Sequence, residues 1–119
     1  MKSLGDGYER QAAHWLQGRG LRLLAHNFRG KTGEIDLIAR DGECLVFVEV
    51  RARSNRNFAG AAASVDRRKQ RRILRTAQLY LQHHPELHLL PCRFDVIAFE
   101  PPQSGAGSRI RWIRAAFTA

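Results

Sequence analysis

What is scarce in this chain already narrows what it does. Cysteine occurs twice, at Cys44 and Cys92, with neither C-x-x-C spacing nor histidines at ligand spacing. That argues against a zinc site and a disulfide framework, and it suits a reducing compartment. No apolar run is long enough to span a bilayer, and Met1 to Gly7 lacks a stretch of signal-peptide type. The expectation is therefore a cytoplasmic protein with no membrane partner. Acids are also few, since 11 Asp and Glu stand against 20 Lys and Arg and leave a formal charge of +9. Most of the excess is arginine, whose planar fork matches phosphate oxygens, so a polyanion is the partner toward which such a chain is steered. A basic charge is equally what a solvated surface carries. Repeats are absent, and so is the G-x-x-x-x-G-K-(S/T) spacing. Arg29-Gly30-Lys31-Thr32-Gly33 has the glycines and lysine of a phosphate loop without that spacing, which disfavours a nucleoside triphosphatase.

The 119 residues are 44% hydrophobic and 26% charged, a balance expected of a folded chain rather than a disordered one. The length suits a single domain, 1–119, burying roughly two thirds of its unfolded surface around one core. Within it, Gly33 to Arg53 reads G-E-I-D-L-I-A-R-D-G-E-C-L-V-F-V-E-V-R-A-R. Two apolar runs, Ile35 to Ala39 and Leu45 to Val50, are split by an Asp-Gly step, the signal of an antiparallel hairpin. A tight turn at Asp41-Gly42 predicts Asp36 opposite Phe47 and Glu34 opposite Glu49. Directly paired residues share a face. Glu34, Asp36, Glu49 and Arg51 then project from one face beside Ile38, Leu45 and Phe47, while Ile35, Leu37, Val46, Val48 and Val50 cover the other.

Two carboxylates about 5 Å apart repel by roughly 3 kcal/mol at an effective dielectric of about 20, against about 0.2–1 kcal/mol for a favourable cross-strand pair. Such an arrangement needs compensation. Converging hard oxygens are what Mg²⁺ or Mn²⁺ takes, which makes Asp36, Glu49 and Glu34 candidate metal ligands. The other reading is a solvated strand end whose acids pair with nearby arginines.

Around the hairpin, an amphipathic helix is expected from Gly5 to Gly18, with Asp6 near its start and Tyr8, Ala12, Trp15 and Leu16 at helical spacing. Glu9 lies beside that stripe, placed either to reach the sheet or to remain a surface acid near the helix start. Leu21 to Phe28 reads as a strand, and residues 29–33 as a polar loop. Ala52 to Ala63 is irregular, either a mobile loop beside the carboxylates or a plain connection. Ser64 offers an N-cap for a second helix ending near His84, where Pro85 bars continuation. Ile73, Ala77, Tyr80 and Leu81 make its apolar face, which Gln70 extends by one turn. Arg67, Arg71 and Arg75 form an outer stripe, with Arg68, Lys69 and Arg72 alongside. Six basic residues within nine positions exceed what solubility needs and suit backbone phosphates, although the aromatics of a base-stacking platform are missing. Cys92 to Phe99 and Arg109 to Ala115 read as strands, joined by a Pro/Gly/Ser loop from Pro101 to Ser108. Asp95 is expected to be a structural partner for an arginine, and the arginines of the last strand suit an exposed edge.

The order αβββαβ plus a C-terminal strand, with an acid on the first helix and D-x(12)-E-V-R across the hairpin, resembles the restriction-endonuclease-like nucleases whose motif is written PD-(D/E)xK. That fold is α/β, an α+β mixed sheet flanked by helices. More closely, the chain resembles the small bacterial YraN-like family, itself similar to archaeal Holliday-junction resolvases. The matching pieces are G-Y-E-R-Q-A-A from Gly7, G-E-I-D-L-I-A-R-D-G from Gly33, L-V-F-V-E-V-R from Leu45 and R-F-D-V-I-A from Arg93. The resemblance implies Asp36 and Glu49 as metal-binding carboxylates, with the Val50 carbonyl a further ligand. It also implies Glu9 as the helix acid of the resolvases and Gln70 as the glutamine that orients the attacking water. Where those nucleases carry lysine, two residues after the glutamate, this chain has Arg51. Arginine stabilises a developing phosphorane charge, but with a pKa above about 12 it cannot serve as a base.

The expectation is a metal-dependent endonuclease that cuts phosphodiesters in structured DNA with Mg²⁺ or Mn²⁺. Asp36, Glu49, Arg51, Gln70 and Glu9 carry the chemistry, and Arg67, Arg68, Lys69, Arg71, Arg72, Arg75 and Arg53 bind nucleic acid. Two alternatives stay open. One is a binding module of the same fold, attenuated by Arg51; the other is a basic domain whose arginines meet an acidic protein. Because resolvases act as symmetric dimers, the resemblance also implies a homodimer, although no apolar patch in the sequence marks its surface.

Overall fold

The computed structural model describes residues 7–52, 65–100 and 109–118. Helix α1 (Gly7–Gly18) leads into strands β1 (Arg22–Gly30), β2 (Gly33–Asp41) and β3 (Cys44–Ala52). Helix α2 (Arg67–His83) follows, then a 3₁₀ turn at Pro85–Leu87 and strands β4 (Cys92–Glu100) and β5 (Arg109–Phe117). The strands form one mixed sheet in the order β1-β2-β3-β4-β5, antiparallel except for the pair β3–β4. A parallel pair cannot be joined by a tight turn, and α2 lies in the crossover between its strands. The described residues thus make a mixed α/β architecture of five strands and two longer helices. None of the described helices is long and apolar enough to cross a membrane.

Each helix covers one face of the sheet. On one side Ala12, Ala13 and Leu16 of α1 pack with Leu37, Val46, Val48 and Ile97. On the other, Ile73, Ala77 and Tyr80 of α2 pack with Ile38, Leu45, Phe47 and Val96. Strand β3 is buried on both faces, which is why Leu45 to Val48 is an unbroken apolar run rather than an alternating one. Fully burying such a side chain contributes about 1.5–3 kcal/mol. Phe47 does more than fill space, since it stacks on Phe94 at 5.3 Å and meets the edge of Tyr80 at 6.2 Å.

The structure departs from the sequence expectation at several places. The turn between β2 and β3 is Gly42-Glu43 rather than Asp41-Gly42, because Asp41 pairs with Cys44 and Ile38 with Phe47. Gly42 adopts φ +59, the left-handed conformation that a two-residue turn with leading glycine demands. The register therefore slides by an even step, so the residues of the paired ladder, Leu37 to Asp41 and Cys44 to Val48, keep their faces. Ile35, expected beside Leu37 and Val48, packs instead with Ile38 and Phe47 on the α2 side. Next to it β1 is irregular: it pairs Phe28 with Ile35 and His26 with Leu37, and the intervening Asn27 stands at φ +50. The polar loop of residues 29–33 shrinks to Lys31-Thr32, with Gly30 and Gly33 already paired.

Helix α2 is capped by Asp66, whose carboxylate accepts the Lys69 N–H at 2.9 Å. It ends at His84, whose N–H bonds the Leu81 carbonyl at 3.1 Å, just before Pro85. Ser64, Gly5, Asp6, the segment 53–64 with Arg53, and the loop 101–108 lie outside the described residues.

Candidate functional site

The β2–β3 ladder stops at Leu37 and Val48, and Asp36 and Glu49 are the next residues along each strand. There Val50 donates its N–H to Asp36 Oδ2 at 2.8 Å. On the other side, Asn27 uses a left-handed backbone that asparagine tolerates better than most residues. Its amide donates to Glu9 Oε1 at 2.8 Å and to Glu34 Oε2 at 3.0 Å. Glu9 also shares a hydrogen bond with Asp36. Acids from α1, β2 and β3 therefore act on one another at the open end of the hairpin.

Their electrostatics follow from burial and crowding. Burial, then the Glu49 charge, pushes the Asp36 pKa up from 3.8 to about 8; Glu9 adds to the rise and the Val50 N–H opposes it. Burial likewise raises Glu49, against the pull of Lys69 and Arg51 and with a further push from Glu34. The Glu49 side chain is only 4% exposed. Its Oε2 meets Lys69 Nζ at 3.2 Å, while Oε1 has no hydrogen-bond partner among the described residues.

Glu34, Asp36, Glu49 and Lys69 line a cleft of about 560 Å³ between the β1–β2 turn and α2. Its far wall is latched: Thr32 and Thr76 bring their hydroxyls to 2.8 Å, and Thr76 donates to the Arg72 carbonyl at 2.8 Å. The single Thr76 proton is thereby used, so Thr32 is the donor between the two hydroxyls. Gly30 permits the close approach, because a Cβ there would lie 2.6 Å from Leu79 Cδ1. The rim is basic, formed by Arg29, Lys31, Lys69 and Arg72, with Arg29 paired to Glu34 at 3.5 Å.

Of the residues singled out from sequence, Asp36, Glu49 and Glu34 line this cleft. Glu9 joins them through Asn27 and Asp36, and the Arg51 charge acts on Glu49. Gln70 points elsewhere. Its amide donates to the Val65 carbonyl at 2.9 Å, and it lines a separate cleft of about 510 Å³ between α2 and β5. The α2 side chain that reaches Glu49 is Lys69, which sequence reasoning placed only among the phosphate contacts. Asn27 and the Thr32–Thr76 latch were missed altogether, and an asparagine inside a strand was the one visible signal for the former. Arg67, Arg68, Arg71, Arg72 and Arg75 are exposed, whereas Lys69 is half-buried.

Among the described residues no group of three or more His, Cys, Asp or Glu is arranged to hold a metal ion. Two carboxylates with a buried, unpartnered oxygen nevertheless suit a hard cation of the Mg²⁺ type, which takes one or two carboxylates and fills its octahedron with water and phosphate.

A mixed five-stranded sheet between two helices, with an acid-lined and basic-rimmed cleft at one hairpin end, is the class of protein that the fold and site define. The chain belongs to a family described as uncharacterised protein family UPF0102, whose model matches residues 8–99. It is 49% identical over 116 residues to a UPF0102 protein of Alcanivorax borkumensis, covering 98% of this chain and 92% of that one. Over 117 residues it is 47% identical to the UPF0102 protein YraN of Escherichia coli K12, covering 98% of this chain and 85% of that one. The YraN-like resemblance is thus borne out, and the matched span contains every cleft residue named above.

Proposed function

We propose that the chain is a metal-dependent nuclease of restriction-endonuclease-like fold that hydrolyses phosphodiesters in structured DNA. The observation that carries this reading is the Asp36–Glu49 pair, two adjacent carboxylates pushed up in pKa, one with an oxygen unpartnered among the described residues, beneath a helix rich in arginine. Left bare, the pair is unfavourable. A divalent cation, Mg²⁺ or Mn²⁺, supplies Lewis acidity toward water and phosphate and reverses the sign of the local charge. Asp36 and Glu49 would hold it, with Glu34 available from the cleft wall.

The chain's own groups do the rest. Glu9 and Asn27 orient Asp36 and Glu34. Arg51 contributes fixed positive charge for a developing phosphorane and no proton chemistry. Lys69 brings to Glu49 the compact ammonium that position 51 lacks. The exposed α2 arginines hold substrate phosphates.

The test is cleavage of duplex, single-stranded and four-way-junction DNA with Mg²⁺ or Mn²⁺. Wild type is expected to cut and Asp36→Ala to fail, and identical traces from the two would remove the enzyme reading. A second reading, a DNA-binding module without catalysis, is favoured by the Lys69–Glu49 ion pair, in which an internal cation already answers the glutamate. It calls for salt-sensitive binding indifferent to divalent ions. Calorimetric titration of Mn²⁺ separates the two: saturable uptake that disappears in Glu49→Gln belongs to the nuclease alone.

A further inference from the structure

Among the described residues, the first half of helix α2 lies between two clefts, and acids line the one toward β2 and β3 but not the one toward β5. Around its axis, at 3.6 residues per turn, Lys69 and Arg72 lie toward the carboxylate cleft, whereas Arg67 and Arg71 lie toward the cleft shared with β5. Arg68 and Arg75 stand between these two pairs and are exposed. The second cleft, about 510 Å³, is lined by Leu74 of the helix and by Phe117 and Thr118 at the end of the chain. From Arg67 to His83 the helix carries no Asp or Glu.

We propose that α2 enters the major groove of B-form duplex DNA, one strand's backbone lying in the carboxylate cleft and the complementary strand's backbone in the α2–β5 cleft. The assignment rests on the reading of the first cleft as a phosphodiester site, and it adds the class of substrate. A helix with its side chains is about 10–12 Å across, and the major groove of B-DNA is about 12 Å wide. A ridge of that width, with a basic pair on each flank, meets phosphates on both sides at once. The asymmetry in acids then decides the roles: the strand beside Asp36 and Glu49 is the one acted upon, and the strand beside Arg67 and Arg71 is held.

The start of the helix supports the same occupant. Its first turn contains Arg67, Arg68 and Lys69 and no acid, which sets positive side chains against the positive end of the helix dipole. The Asp66 carboxylate at the N-cap and the Glu49 partner of Lys69 answer part of that charge; Arg67 and Arg68 remain exposed there, where a phosphate is favoured. Duplex RNA is excluded by shape, because its A-form major groove is too deep and narrow for the ridge. A single strand would engage one flank only.

Fluorescence anisotropy without divalent cation, on a short DNA duplex, a duplex RNA of the same sequence and one DNA strand, tests the assignment. Duplex DNA is expected to bind about tenfold tighter than either alternative. Arg67→Glu/Arg71→Glu should lower duplex affinity about tenfold and flatten the log affinity against log salt slope by about 2, with a smaller loss of about threefold on the single strand. Arg67→Gln/Arg71→Gln should show the same pattern at smaller size, which guards against a folding defect in the reversed variant. Equal affinity for duplex RNA, or equal losses on duplex and single strand, would overturn the proposal. The two readings fail separately. Cleavage of duplex DNA untouched by the Arg67/Arg71 changes would sink the groove assignment and leave the nuclease. A duplex preference with Asp36→Ala cutting as well as wild type would do the reverse.

Discussion

Asp95 and Glu49 sit on neighbouring strands of one sheet, at 0% and 3% exposure, and are treated in opposite ways. Asp95 Oδ1 accepts from Arg93 Nε at 3.0 Å and from the Ala115 N–H at 2.9 Å. Its Oδ2 accepts from Arg93 Nη2 at 3.1 Å and from Trp112 Nε1 at 2.9 Å. Ala115 adopts φ +50, unusual for alanine, where it makes that contact. Arg93 in turn reaches Asp41 at 3.1 Å and so ties β4 to the end of β2. Glu49 has one ammonium on one oxygen, no hydrogen-bond partner among the described residues on the other, and a second carboxylate beside it. A buried charge with all its donors in place is architecture, and one left short carries a cost that its surroundings have not offset.

The contrast can be broken first at its well-satisfied end. Asp95→Ala strands the Arg93 guanidinium, the Trp112 indole and the Ala115 amide, and it should cost about 3–5 kcal/mol in denaturant unfolding; a loss below 1 kcal/mol would make the network ornamental. At the deficient end, Mn²⁺ at a hundredfold excess over its dissociation constant should stabilise wild type by about 2.7 kcal/mol, seen as a rise in Tm that Glu49→Gln abolishes.

Asp36→Asn should change stability in the direction opposite to Asp95→Ala. The folded Asp36 pKa of about 8 lies above the ordinary 3.8, so between those pH values the folded chain keeps a proton that the unfolded chain has released. Without divalent ions, wild-type stability therefore falls as pH rises from about 4 to about 8, and the asparagine variant lacks that slope. Above pH 8 the variant should be more stable by about 2 kcal/mol, less than the full linkage value because water reaches the partly exposed carboxylate. Parallel pH profiles would contradict the assignment. The smallest effect is Lys69→Met, which should cost about 1 kcal/mol by removing the one ammonium on Glu49, with Mn²⁺ restoring most of it.

Much of this was legible in the chain, and the exceptions have physical causes. The hairpin faces survived an incorrect turn because the error was an even number of residues and strand alternation has a period of two. Asp36 came to lie beside Glu49 rather than Phe47 because Gly42, not the Asp-Gly pair, leads the turn. The partner of Asp95 was legible in kind, an arginine, although not in position, since Arg93 sits two residues away on the same strand. Helix phase was the weak point. The apolar stripe of Ile73, Ala77 and Tyr80 shows which side of α2 is buried, but not which of its two flanks faces the carboxylates: Lys69 reaches Glu49, whereas Gln70, whose role the family resemblance implied, bonds the Val65 carbonyl. Glu9 reaches the cluster through a left-handed asparagine on an otherwise extended strand, which no alternation of apolar residues announces.

The strand order also sets a sequence of events in time. β1, β2 and β3 meet through tight turns, whereas β3 meets β4 only across the crossover, from Leu45 beside Cys92 to Ala52 beside Phe99. Pairings between distant parts of a chain carry the larger loop-closure entropy and form more slowly. On refolding, the β2–β3 hairpin that bears Asp36 and Glu49 is therefore expected to pair before β4 docks and α2 brings the Lys69 ammonium to Glu49.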